Sequence, residues 1–260
     1  MTLIRSFLVF LLLTFNAYAG NLIVGTGGMG ASGGGACSTP SQGEHYTEGF
    51  EGSTACYTAG TEVCENATAW TVVDGTQTFG YTLPSTPLSL LCSKGLRINV
   101  NEASNYVRLD EGTARADAKI IFYFYLTSSS AGTDHNFVSI GNSTTQGSSR
   151  WGYATIYNNA GTITMRCGGG VNSAWLPIAI EKVYKVTLNG NTTTPANSFM
   201  SVEDCSSGTC TDVAGSPDTD FRATVAGGAS ARYQFYGGLA AGASDITDFV
   251  FDVISVGAAD

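Results

Sequence analysis

Two kinds of side chain in this sequence have types and spacings that bear on chemistry: paired acids and a strand of rings. Cleaving a glycosidic bond with retention needs two carboxylates about 5 Å apart. The chain holds Glu62 and Glu65 in a stretch that reads as loop, and the adjacent pairs Asp110–Glu111 and Glu203–Asp204. Neighbours on a strand point to opposite faces, so neither adjacent pair converges. Histidine occurs only as His45 and His135, and no Gly-x-Ser-x-Gly elbow is present. General bases are therefore scarce.

The rings are better placed. In "RWGYATIYNN", Trp151, Tyr153, Thr155 and Tyr157 fall on one face of a strand, and Gly152, Ala154 and Ile156 on the other. "TITMRC" splits into Thr162, Thr164 and Arg166 against Ile163, Met165 and Cys167. "ARYQFYGG" sets Arg232, Gln234 and Tyr236 opposite Tyr233 and Phe235, and "IIFYFYLT" sets Tyr123 and Tyr125 opposite Phe122 and Phe124. Brought onto one concave sheet, these polar–aromatic faces would make a sugar-binding groove. The C–H faces of a sugar stack on rings, and its hydroxyls bond to Arg, Gln and Thr. The competing reading is a polar sheet face with no ligand.

The elements that must carry such a groove are strands. Alternation dominates from Thr47 onward, with strands expected at 68–75, 94–100, 105–112, 118–128, 135–142, 150–167, 175–191, 197–205, 232–238 and 246–256. "NNAG" (158–161) reads as a hairpin turn in which Asn and Gly take positive φ. Short strands separated by Gly- and Asn-rich turns predict an all-β, antiparallel two-sheet sandwich. The apolar fraction of 43% is enough for a packed core.

Residues 1–19 read as a signal peptide: Arg5, the apolar run Phe7–Phe15, then Ala17-Tyr18-Ala19. Residues 20–46 form a glycine-rich leader without periodicity, 47–257 the folded domain and 258–260 a tail. The expected destination is secreted or extracellular, with no membrane contact after cleavage. Loss of Arg5 takes the net charge from −9 to −10, which disfavours nucleic acid and anionic lipid as partners. In an oxidising compartment the seven cysteines are expected as disulfides. Cys205–Cys210 closes a tight turn and Cys56–Cys64 a local loop. Cys92–Cys167 would join strands across the sheets, which leaves Cys37 odd. Zinc is the weaker alternative, because no C-x₂-C pair occurs.

The order of features resembles the concanavalin A-like lectin/glucanase jelly rolls, including laminin-G-like modules. The matching pieces are "FEG" (50–52), a Trp strand at Trp70, "SKGLRINV", "VYKVTLNG" and "FVFDVISV". The resemblance implies a jelly roll over residues 47–257 in which the first and last strands lie side by side. That would bring Glu51 near Asp252, where some members of the fold hold Ca²⁺; a solvated edge is the competing reading. The glucanases' Glu-x-Asp-x-x-Glu run is missing here, and His135 is the sole candidate for a lyase-type base. The expected function is a non-catalytic, lectin-like module binding glycans or polysaccharide. One alternative is a structural or adhesive exported or virion surface protein that self-associates through the leader or Cys37. The other is a divergent glycan-cleaving enzyme.

Overall fold

The computed structural model describes residues 44–48, 70–74, 77–82, 94–100, 106–114, 117–129, 134–141, 150–217, 221–223, 230–236 and 247–257. These form β1 (Glu44–Glu48), β2 (Trp70–Asp74), β3 (Gln77–Thr82), β4 (Lys94–Val100), β5 (Tyr106–Ala114), β6 (Asp117–Ser129), β7 (Asp134–Gly141) and β8 (Arg150–Asn159). There follow β9 (Thr162–Gly168), β10 (Leu176–Ile178), β11 (Val183–Asn191), β12 (Phe199–Asp204), β13 (Thr211–Asp212), β14 (Ser230–Tyr236) and β15 (Thr247–Gly257). The only helical element among the described residues is a 3-10 turn at Pro195–Asn197.

Two antiparallel sheets result. One runs β13-β12-β11-β6-β15-β4-β3, with β1 added beside β15; the other runs β10-β9-β8-β7-β14-β5-β2. The predicted all-β sandwich is what forms. Period-two burial explains it: in β6, Ala118, Ile120, Phe122 and Phe124 are buried, while Lys119, Ile121 and Tyr123 between them are partly exposed. The core is aromatic at its centre. Phe122 lies edge-on to Phe137 and Phe251 at ring distances of 5.9 and 5.8 Å, and Phe124 stacks on Tyr184 at 5.5 Å.

The last two strands complete both sheets: β14 lies between β5 and β7, and β15 between β4 and β6. The end strands pair, but through β1, with Tyr46 opposite Val256 and Glu48 opposite Ile254. That strand begins at Glu44, inside the expected leader. Phe50 and Glu51, the rest of the leader and the signal segment lie outside the described residues. The sequence reading also missed β3 and β13 and ran β10 into β11. Gly80 within β3, and the two-residue length of β13, weaken their signals.

The β8–β9 hairpin has the predicted turn with a different residue in the strained place. Positive φ falls on Ala160 (50°) and Gly161 (98°), not on an Asn. Asn158 instead accepts a bond from the Gly161 N–H through Oδ1 at 2.9 Å and donates from Nδ2 to the Ser129 carbonyl at 2.7 Å. Because Ala160 is exposed and left-handed, Ala160→Asn is expected to stabilise the protein by about 0.5–1 kcal/mol. Thermal unfolding of the variant checks this, and an unchanged or lower Tm would speak against the turn geometry.

Of the expected disulfides, Cys205–Cys210 is formed. Its turn is anchored by Asp204, whose Oδ2 accepts from Lys182 Nζ at 2.5 Å and whose Oδ1 accepts from the Ser206 N–H at 3.0 Å. Partial burial pushes the Asp204 carboxyl up, but the bonds from Lys182 and Ser206 outweigh it and hold the group below its ordinary value. The expected Cys92–Cys167 bridge is corrected: Cys167 is a thiol buried in the core. It sits on the inward side of β9 between Met165 and the Gly168 turn, where packing rather than cross-linking uses it. Cys37, Cys56, Cys64 and Cys92 lie outside the described residues.

Candidate functional site on the seven-stranded sheet

Two bulges decide which side chains reach the outer face of the β7–β8 pair. Asn136 faces Thr155 and Val138 faces Ala154, so Phe137 is an extra residue; both Phe137 and Val138 are fully buried. At the other end Ile140 faces Gly152 while Gly141 faces Arg150, so Trp151 is extra. A bulge breaks the alternation locally and re-aims one side chain. Trp151 therefore turns inward and is 0% exposed, and the expectation that it shares the ring face of Tyr153 is overturned. The signal available in sequence was its neighbour Gly152, since glycine inside a strand marks bulges. A Cβ on Gly152 would come 2.7 Å from the Phe221 ring.

Beyond the bulge, Tyr153 and Tyr157 do stand on the outer face, each half-buried. Arg150 lies with its guanidinium carbon 4.2 Å from the Tyr153 ring centre, and the Tyr153 hydroxyl donates to Asn172 Oδ1 at 3.1 Å. Arg166 on β9 stacks at 4.2 Å on Trp175, whose ring lies 5.8 Å from that of Tyr157. Thr155, opposite Arg166 and Asn136, is flanked along its strand by the two tyrosines; its hydroxyl donates to Asn136 Oδ1 at 2.6 Å.

Trp175 was not among the expected site residues. It arrives through the turn after β9. Gly170 N–H donates to the Arg222 carbonyl at 2.6 Å and Val171 N–H to that of Phe221 at 3.1 Å. Ser173 N–H then returns to the Cys167 carbonyl at 2.8 Å. Gly169 permits this stitching, because a Cβ there would meet the carbonyls of Arg222, Phe221 and Trp151 at 2.8–2.9 Å. The chain emerges at Trp175 beside Arg166 and runs into β10, an edge strand whose Pro177 is exposed.

The other expected residues divide between the two sheets. Gln234 lies in the same cross-strand row as Tyr153, Ser139 and Arg108. Arg232 is in register with Gly141, itself opposite Arg150, and Tyr236 is in register with Tyr106. These positions continue the cross-strand rows of β8 onto β14 and β5. Tyr123 and Tyr125 do not join it: they are on β6 in the eight-stranded sheet. There Tyr125 packs with Val183, Cys205 and Val250, and Tyr123 and Cys210 lie against that cluster. The single groove expected from all four segments is thus two separate faces, because β6 and β8 belong to different sheets.

The acids are also distributed by the fold. Asp248 is held by Arg97 through two bonds, 3.0 Å from Nε and 2.6 Å from Nη2. Asp252 is 4% exposed on β15, in register with Tyr123. Among the described residues no three metal-ligating side chains gather, and Asp252 alone supplies far fewer than the six to eight oxygens of calcium. Glu51 lies outside the described residues. Glu203 pairs with Lys185 at 2.7 Å, and Asp204 is held by Lys182. His135 is fully buried opposite Ile156, on the inward face, and so does not line the ring face.

No protein-family model matches the chain, and no curated protein sequence matches it. Among solved structures, the sialidase of Trypanosoma rangeli aligns at a TM-score of 0.52 and 12% identity, covering 84% of this chain and 31% of that one. The two share a β-sandwich fold. At such identity the likeness is one of fold alone, and this chain spans about a third of the sialidase. A protein of unknown function from Shewanella oneidensis MR-1 aligns at 0.48 and 11% identity, over 82% of this chain and 85% of that one. A carbohydrate esterase from Shiga toxin-encoding bacteriophage phi24B aligns at 0.45 and 9%, over 74% and 90%.

Proposed function

We propose that the protein is an exported, concanavalin A-like carbohydrate-binding module without a catalytic step, and that its site is the outer face of the seven-stranded sheet. The observation that carries the reading is the convergence of Tyr153, Tyr157 and Trp175 with Arg150 and Arg166 on that face. Half-buried rings present flat apolar area for the C–H face of a pyranose. Asn136 and Thr164 lie among them as partly exposed short polar groups suited to hydroxyls, while Thr155, buried between them, holds Asn136 in place. Stacked guanidinium groups are held with little freedom left to lose when a ligand docks.

The test is a glycan array probed with the oxidised protein and with Trp175→Ala. The variant is expected to lose about 1–3 kcal/mol of binding, roughly a 5- to 150-fold weakening. Its Tm should barely move, because Trp175 is only half-buried. Undiminished binding by Trp175→Ala would place the site elsewhere, and release of reducing ends from a bound polymer would overturn the non-catalytic part. Repeating the array with and without calcium tests the role expected of Glu51 and Asp252.

A further inference from the structure

Acidic residues are not spread evenly along this chain. It contains 21 Asp and Glu, yet none falls between Asp134 and Glu181. That interval holds β7 beyond its first residue and all of β8, β9 and β10. These are four adjacent strands at one end of the seven-stranded sheet. The arginines within it are Arg150 and Arg166, and both stack on rings of the outer face at 4.2 Å. Arg108 continues the Tyr153 row across Ser139 and Gln234, and Arg232 follows Arg150 across Gly141. The acids of this sheet are Asp134, in register with Tyr157, Asp110, in register with Arg232, and Glu111 and Asp74 on β5 and β2, the two strands at its far end.

A chain of net charge −9 repels polyanions over most of its surface. A face that combines sugar-stacking rings with arginines, on four strands whose one acid is Asp134, opposes that preference locally. We propose that the ligand of this face is an acidic polysaccharide, its sugar rings on Tyr153, Tyr157 and Trp175 and its anionic groups at Arg150 and Arg166. This deepens the carbohydrate-binding reading and rests on it. Arginine suits the role because its guanidinium keeps its charge at any physiological pH and matches the oxygens of a carboxylate or sulfate with a planar fork of donors.

The experiment uses charge-matched polymer pairs on the full oxidised protein: polygalacturonate against its methyl ester, and dextran sulfate against dextran. In at least one pair the charged member should bind about tenfold or more tighter. The advantage should shrink as salt rises from about 0.05 to 0.5 M, and the pair that responds separates carboxylate from sulfate as the anionic group. Arg150→Gln with Arg166→Gln should remove the advantage, while Arg166→Lys keeps part of the salt dependence and loses most of the affinity. Thermal melts confirm that the variants are folded. Charged members binding no tighter than neutral ones, or a charge preference that survives the double Gln variant, would overturn the proposal. Array hits confined to neutral glycans overturn it and leave the carbohydrate-binding reading standing; a blank array sinks both.

Discussion

Replacing Trp151 by alanine is expected to cost about 3–5 kcal/mol of folding stability. The indole is wholly buried and belongs to the main core with Ile140, Ala154 and Phe221. Its Nε1–H has no hydrogen-bond partner, so removal strands no acceptor. The loss is therefore one of apolar burial and of the cavity left behind, which the surrounding sheets refill only in part. For a domain of this size that corresponds to a fall in Tm on the order of 10 °C. Trp151→Phe, which keeps a ring in the same space, should lose markedly less. Differential scanning calorimetry of both variants decides the matter. A Tm within about 2 °C of wild type for Trp151→Ala, together with lost glycan binding, would mean that the indole lies on the surface and that the bulge at Gly141 is absent.

A chain stopped before Thr247 is expected to show no cooperative unfolding transition. The missing strand, β15, lies in the interior of the eight-stranded sheet and is hydrogen-bonded to β4, β6 and β1. It contributes Phe251, Ile254 and Val256 to the main core and Val250 to the outer cluster. At about 1.5–3 kcal/mol for each buried side chain, these account for roughly 6–12 kcal/mol, comparable to the whole stability of a typical domain. Deletion also exposes backbone groups of the three strands that had been paired with it. Adding a peptide of residues 247–257 in trans should restore part of the near-ultraviolet circular dichroism. A truncated protein that still melts cooperatively would show that β15 is an accessory edge and not a central strand. The contact between Arg97 and Asp248 spans 151 residues, so closure of this sheet is also expected to come late and slowly in folding.

The fold class was legible because period-two alternation is a local property. β4 occupies the predicted residues 94–100, and β6 and β15 fall within one residue of prediction at each end. The tight Cys205–Cys210 bridge was legible for the same reason: a turn of so few residues leaves its ends nowhere to be but together. The site was only half legible. Tyr153, Tyr157 and Arg166 follow from counting along single strands, and they share a face as expected. Trp175 stood outside the count because a turn, not a strand, delivers it to Arg166.

What the sequence by itself determined is most of the longer strands, the polar and apolar sides of their unbulged stretches, and the place of the turn at Asn158–Gly161. Alternation and turn preference act over a few residues and need no partner strand. Tertiary structure decided everything that depends on which strand lies beside which. It put Tyr123 and Tyr125 on one sheet and Tyr153 and Tyr157 on the other. It left Cys167 a thiol among core side chains. It reversed Trp151, because a single extra residue opposite Gly141 shifts the phase of a period-two pattern, and a register shift exists only once two strands have paired.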